Sequence, residues 1–139
     1  MSHHLIYWPV LAQVLLPLLV LTLNAKRKAA DVKSGNFDKE RAAMDNEAWS
    51  KPVVLTSKNL ANQFQIPVLF YALCFVLAGI GGVTASVLIL AWAFVASRYA
   101  HACIHVTSNY VPMRMKTFII GVLIVFIMLV FTAIKLAAI

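Results

Sequence analysis

Four long apolar stretches restrict the folds open to this chain. Residues 5–23 form a run of 19 broken only by Gln13, with Pro9 and Pro17 inside it. Residues 66–80 and 83–97 are runs of 15 apolar or small residues, and 118–134 is a run of 17. A bilayer core takes about 20 residues of helix, so the shorter runs need their polar flanks to complete the crossing. Only a helix satisfies the backbone of a single span inside lipid. The sequence therefore predicts an all-α membrane protein: one domain over 1–139 with spans at about 4–25, 57–80, 82–108 and 113–137 and a polar loop at 26–56. Hydrophobic residues make up 62% and charged residues 12% of 139. That is more apolar surface than a soluble domain of this size can hide. Ordinary cytosolic, disordered and collagen-like chains are excluded.

The short connections predict antiparallel neighbours in an up-down-up-down bundle. Residues 78–82 include Gly79, Gly81 and Gly82, which permit a tight reversal. Residues 109–112 end in Pro112, which stops one helix and suits the first turn of the next.

Charge gives an orientation. Lys26, Arg27, Lys28, Lys33, Lys39, Arg41 and Lys51 lie between the first two spans, with Lys58 at the start of the second, while Arg98, Arg114 and Lys116 edge the third connection. The positive-inside rule puts both basic connections in the cytoplasm and both termini outside. The basic cluster follows the first run instead of preceding it, so that run is expected to be a retained span, not a cleaved signal. Acidic residues interleave with the basic ones, which argues against nucleic acid as a partner. Cys74 and Cys103 read as packing residues, and Tyr7, Trp8, Tyr99 and Tyr110 as interfacial belt residues.

The residues that membranes make expensive carry the functional signal. At about 100° per residue, Lys58, Asn62 and Gln65 share an arc of roughly 60° on the second span. Arg98, His101, His105 and Asn109 share roughly 80° on the third. Arg114 falls in the first turn of the fourth span, where free N–H groups and the helix dipole favour an anion. In an antiparallel pair the two stripes lie at one depth on the cytoplasmic side. Together with Arg114 they predict a donor-rich, positive pocket for a small anion bearing amides. Alternatives remain for each part: interhelical hydrogen bonding for the amides, snorkelling for Arg98, and a metal for the histidine pair. No third ligand joins those histidines, so no metal site is expected. No Ser/His/Asp set, P-loop or dinucleotide fingerprint is present.

Four short spans, a basic first connection, the segment Asn62-Gln63-Phe64-Gln65-Ile66-Pro67 with Phe70-Tyr71, and Arg98-x-x-His101 followed by Arg114 resemble the MAPEG family. These are the membrane-associated proteins in eicosanoid and glutathione metabolism, and small bacterial inner-membrane members look most similar. The resemblance implies a homotrimer that binds glutathione between subunits on the cytoplasmic side. It implies a transferase or peroxidase acting on a lipophilic co-substrate delivered by membrane lipid. By position, Arg114 matches the arginine that stabilises the glutathione thiolate. Lys58, Asn62, Gln65, Arg98, His101, His105 and Arg27 match ligand-binding positions. Gln65 stands where a glutamate is usual, Ala61 where an arginine is, and His105 and Phe118 where tyrosines occur in the eicosanoid branch. Those departures keep open a non-catalytic relative that binds lipid or another small anion. A transporter or channel subunit is the weakest alternative, because the other half of spans two and three has no polar stripe.

Overall fold

The computed structural model describes residues 2–139. A 3-10 turn at His3–Ile6 leads into α1 (Tyr7–Ser34), followed by the single turn α2 (Lys39–Ala42) and a 3-10 turn at Asn46–Ala48. Then come α3 (Lys51–Asn62), α4 (Ile66–Gly79), α5 (Ala85–Val106) and α6 (Val111–Ala137). Four stretches are long and apolar enough to cross a membrane: His3–Ser34, Lys51–Gly79, Ala85–Val106 and Val111–Ala137.

Two boundaries differ from the sequence reading, and both differences shape the polar end. The first helix does not stop near residue 25 but runs on to Ser34. It ends where Gly35 takes a left-handed conformation (φ 69°) and returns its N–H to the Asp31 carbonyl, a conformation that favours glycine. The expected 26–56 loop therefore shrinks to a short connection that itself carries α2 and a 3-10 turn. The second span starts early, at Lys51, and is interrupted at residues 63–65 between α3 and α4. Pro67 explains the interruption. It has no N–H to give the Gln63 carbonyl, and its ring crowds that position. Pro67 instead sits in the first turn of α4, where no partner is needed.

The remaining boundaries follow local chemistry. Thr84 caps α5 by accepting from the Val87 N–H. Gly81 turns with φ 66° between α4 and α5, and Asn109 with φ 51° between α5 and α6. Pro112 lies in the first turn of α6.

Packing joins α5 to α6, α1 to both α3 and α5, α4 to α6, and α3 to α5. The apolar core sits at the end away from the α1–α3 connection, around Phe70, Cys74, Leu77, Val87, Phe94 and Met128. Phe70 stacks on Phe94 with ring centroids 4.4 Å apart. Along α5 the buried positions run Val87, Ala91, Phe94, Arg98, His101, His105. These steps of four and three keep one helix face inward. The seam starts apolar and turns polar, so the face that packs the core also delivers the polar groups. Outward faces of α1 and α6 expose Leu11, Leu15, Leu18, Leu123, Phe126 and Val130, as lipid contact requires.

The connection from α1 to α3 is tied down. Asp31 is buried and accepts from the Ser50 N–H (2.9 Å) and hydroxyl (2.7 Å). This places a carboxylate at the N-terminus of α3, where the helix dipole favours it. Trp49 stacks on Phe37 at 4.6 Å, and the Lys28 ammonium lies 5.0 Å from the Trp49 ring.

Among the expected belt residues, Tyr7, Trp8 and Tyr110 are exposed. Tyr99 is not one of that set: its hydroxyl donates to the Ala12 carbonyl at 2.7 Å and ties α5 to α1. Cys74 is buried in the core, whereas Cys103 faces outward instead of packing.

Candidate functional site

The polar ends of α3, α5 and α6 enclose a hollow of about 410 Å³. Lys58, Asn62, Gln65, His101, His105 and Arg114 line it. Ala61, Met115 and Phe118 complete the wall. Six of the eight expected site residues thus converge on one space, although their local geometry is not that of continuous helices. Asn62 is the last residue of α3, and Gln65 is the N-cap of α4. Both line the hollow despite the interruption at 63–65.

Two expected residues lie elsewhere. The Arg27 guanidinium donates to the Pro52 carbonyl and the Val106 carbonyl, each at 2.8 Å. It closes the end of α5 against α1 and α3 and does not line the hollow. Arg98 precedes His101 by one turn on the same face of α5, about 4.5 Å further along the axis. It is 1% exposed, and all three of its guanidinium nitrogens lack a hydrogen-bond partner among the described residues. Its head lies 5.9 Å from the ring of Phe118. Gly121 lets α6 come this close: a Cβ there would meet Ser97 Oγ at 3.2 Å and Arg98 Cδ at 3.6 Å. Snorkelling toward the interface, a reading open from the sequence, is not what Arg98 does.

Asn109 was expected on the α5 stripe. It lies beyond Val106, in the turn, and accepts from Arg114 Nη1. That bond holds the Arg114 side chain back across the turn while it still lines the hollow. His101 Nδ1 lies 3.1 Å from the Arg114 carbonyl. A carbonyl only accepts, so the proton sits on Nδ1. His101 Nε2 is buried without a partner. His101 and His105 meet edge-on at 5.6 Å.

Three residues belong to this region that helical spacing did not group with the site. Asn59 Nδ2 lies 3.3 Å from His105 Nδ1. Asn59 Oδ1 accepts from Gln63 Nε2 at 3.0 Å, and Gln63 Oε1 accepts from Gln13 Nε2 at 3.5 Å. The available signal was the i,i+4 spacing of Asn59 and Gln63, together with the lone Gln13 in the first apolar run. The loop adds Glu47, whose carboxylate pairs with Lys58 at 2.6 Å.

The arrangement therefore offers two cations at the hollow (Lys58 and Arg114), a third beneath it (Arg98), two imidazoles and two free amides. Such a set binds anions through charge-assisted hydrogen bonds. A model of the MAPEG family matches residues 5–134 of the chain. No curated protein and no solved structure matches it.

Proposed function

The chain belongs to the MAPEG family, and from that premise we propose that it binds glutathione in the hollow and turns its thiol on lipophilic electrophiles or lipid hydroperoxides. Membership makes it a membrane protein of the glutathione and eicosanoid metabolism family. The choice of an anionic ligand rests on one observation. Arg98 is buried with three unpartnered nitrogens, and every acidic residue of the chain lies between Asp31 and Glu47. The spans Lys51–Gly79, Ala85–Val106 and Val111–Ala137 carry no carboxylate to set against it, and Asp31 at the end of the first is engaged by Ser50. A buried unpaired charge is costly, and a ligand carboxylate entering from the hollow relieves that cost.

In this reading Lys58 and Arg98 hold the glutathione carboxylates, His101 accepts from its ammonium group through Nε2, and Asn62, Gln65 and His105 hold its peptide groups. Arg114 holds the sulfur. A guanidinium in the first turn of a helix favours the thiolate over the thiol. The thiol proton leaves to solvent, and the sulfur forms a bond to the electrophilic carbon of an acceptor arriving from lipid, which either expels a leaving anion or, after addition across its double bond, takes up a proton from solvent. With a hydroperoxide, sulfur takes the outer oxygen and the lipid leaves as an alcohol. A second glutathione then displaces water and yields the disulfide. The reading also includes a homotrimer with sites between subunits, a cytoplasmic 26–56 segment, both termini outside and a bacterial-type inner membrane.

A non-catalytic binding protein is the second reading. Gln65 and Phe118 in the wall favour it, because neither brings a charge or a hydroxyl to the ligand. Calorimetry and thiolate absorbance on detergent-solubilised protein decide. Glutathione heat with an ultraviolet thiolate signal that Arg114→Ala abolishes supports the enzyme. Heat without thiolate supports the second reading, and neither signal at millimolar glutathione overturns both.

A further inference from the structure

His105 lines the hollow, yet its Nδ1 turns away from it toward the amide of Asn59. Its Nε2 is not among the buried atoms left without a partner, so that nitrogen keeps access to the hollow. Which nitrogen carries the proton decides whether His105 offers a donor or an acceptor to a ligand.

Three amides in series bear on that choice. Gln13 reaches from α1 to Gln63, Gln63 to Asn59, and Asn59 to His105. All three are buried, with exposures of 0%, 1% and 0%. An amide has an oxygen that accepts and a nitrogen that donates, so the series has one of two polarities. In one, every nitrogen points toward His105, and Asn59 donates to a bare Nδ1. In the other, every amide is reversed, and His105 Nδ1–H donates to Asn59. The far end separates them. With nitrogens pointing toward His105, the group left unpartnered is the Gln13 carbonyl oxygen. The reversed series would leave the Gln13 amide nitrogen unpartnered, with both of its hydrogens. Buried orphan N–H groups are rarer than under-satisfied carbonyls.

We infer that Gln13, Gln63 and Asn59 form a positioning series that fixes His105 as the Nε2–H tautomer, so that its imidazole donates to an anion in the hollow. Lys58 on α3 and Arg114 on α6 line the same space, and Arg98 lies below it on the helix that carries His105. Left to those cations, a neutral imidazole would turn its lone pair toward them. The amide series opposes that preference and keeps His105 donating to the hollow. His101 takes the opposite tautomer, because its Nδ1 faces a carbonyl. The two histidines of one helix face thus do different work. The ligand role rests on the glutathione reading above, whereas the tautomer does not.

The test is nitrogen-15 NMR of imidazole-labelled full-length protein in detergent without ligand. The expected result is an unprotonated Nδ1 and protonated Nε2 at His105, with the reverse at His101. Asn59→Asp replaces the donor with a carboxylate that only accepts, and His105 moves its proton to Nδ1 while His101 is unchanged. Should that variant not fold, Gln63→Leu frees Asn59 to turn over and mixes the two His105 forms. A protonated Nδ1 in the wild type overturns the inference, as does an unmoved tautomer in a folded variant. Glutathione calorimetry forms a separate arm. Asn59→Asp weakens binding several-fold, and adding His105→Tyr restores it, since a phenol donates without tautomers. If NMR gives the expected tautomers and the wild type binds no glutathione, the glutathione reading fails and the positioning series stands.

Discussion

Lys58 lines the hollow and meets Glu47 of the α1–α3 connection at 2.6 Å, so the loop carboxylate and any ligand anion compete for one ammonium group. Both side chains are more than half exposed, and pairs of that kind contribute about 0–1 kcal/mol. Glu47→Gln is expected to tighten glutathione binding by up to about fivefold in low salt. The gain shrinks as salt is raised, because exposed charges are screened. Calorimetry at two ionic strengths reads both effects. Weaker binding in the variant would mean that Glu47 positions Lys58 for the ligand instead of competing with it.

Arg98 gives an outcome of unusual sign. Replacing it by methionine keeps much of the volume and removes a buried charge whose nitrogens have no partner. An unsatisfied buried group costs about 1–3 kcal/mol, more when charged. Arg98→Met should therefore raise the melting temperature of the ligand-free protein in detergent by several degrees. It should also remove the further stabilisation that glutathione gives the wild type. A variant that melts lower would show that Arg98 is already compensated.

The carboxylate of Asp31 holds the entry of α3 through two hydrogen bonds from Ser50. Asp31→Ala leaves the Ser50 groups without it, and the local loss is about 1–3 kcal/mol. The effect should stay in the connection, because the apolar core lies at the other end. Limited proteolysis is expected to cut after Lys39 or Arg41 several-fold faster, with helical circular dichroism unchanged. A loss of helix throughout would refute this local role.

Pro67 maintains the interruption between α3 and α4, beside the wall residue Gln65. Alanine favours a helix interior over proline by about 3 kcal/mol, so Pro67→Ala should let α3 and α4 join. A continuous helix keeps Gln65 on the arc of Lys58 and Asn62, so glutathione binding is expected to stay close to that of the wild type, without unfolding. Spin labels on Ala61 and Ala72 would report the straightening as a changed distance. An unchanged distance would show that packing, not the proline, holds the break.

Much of the polar site was legible before the fold was known. Lys58, Asn62, Arg98, His101, His105 and Arg114 stand out because a charge or amide in an apolar run is costly, and helical spacing alone groups them. The break was less visible. Helical spacing put Gln65 on the arc of Lys58, and it does reach the same hollow, but by way of a cap at α4. Asn109 was assigned to a helix face it does not occupy, because the left-handed turn before Pro112 comes earlier than the proline suggests. Tyr99 looked interfacial because its type favours that position, whereas its hydroxyl found a carbonyl on α1.

Burial pattern is a property of one strip of chain, and this polypeptide declares its lipid-borne helical character through residue order alone. Partnership is not. Whether a guanidinium ends up beside a phenyl ring or a carboxylate, and which way an amide points, depends on the neighbours that close packing supplies. Only the assembled helices could decide that Arg27 would be spent on carbonyls, that Arg98 would be left wanting an anion, and that Gln13 would reach His105 through two intermediaries. Hydrogen bonds form between groups that sequence separation keeps apart, and only the tertiary structure brings them within reach.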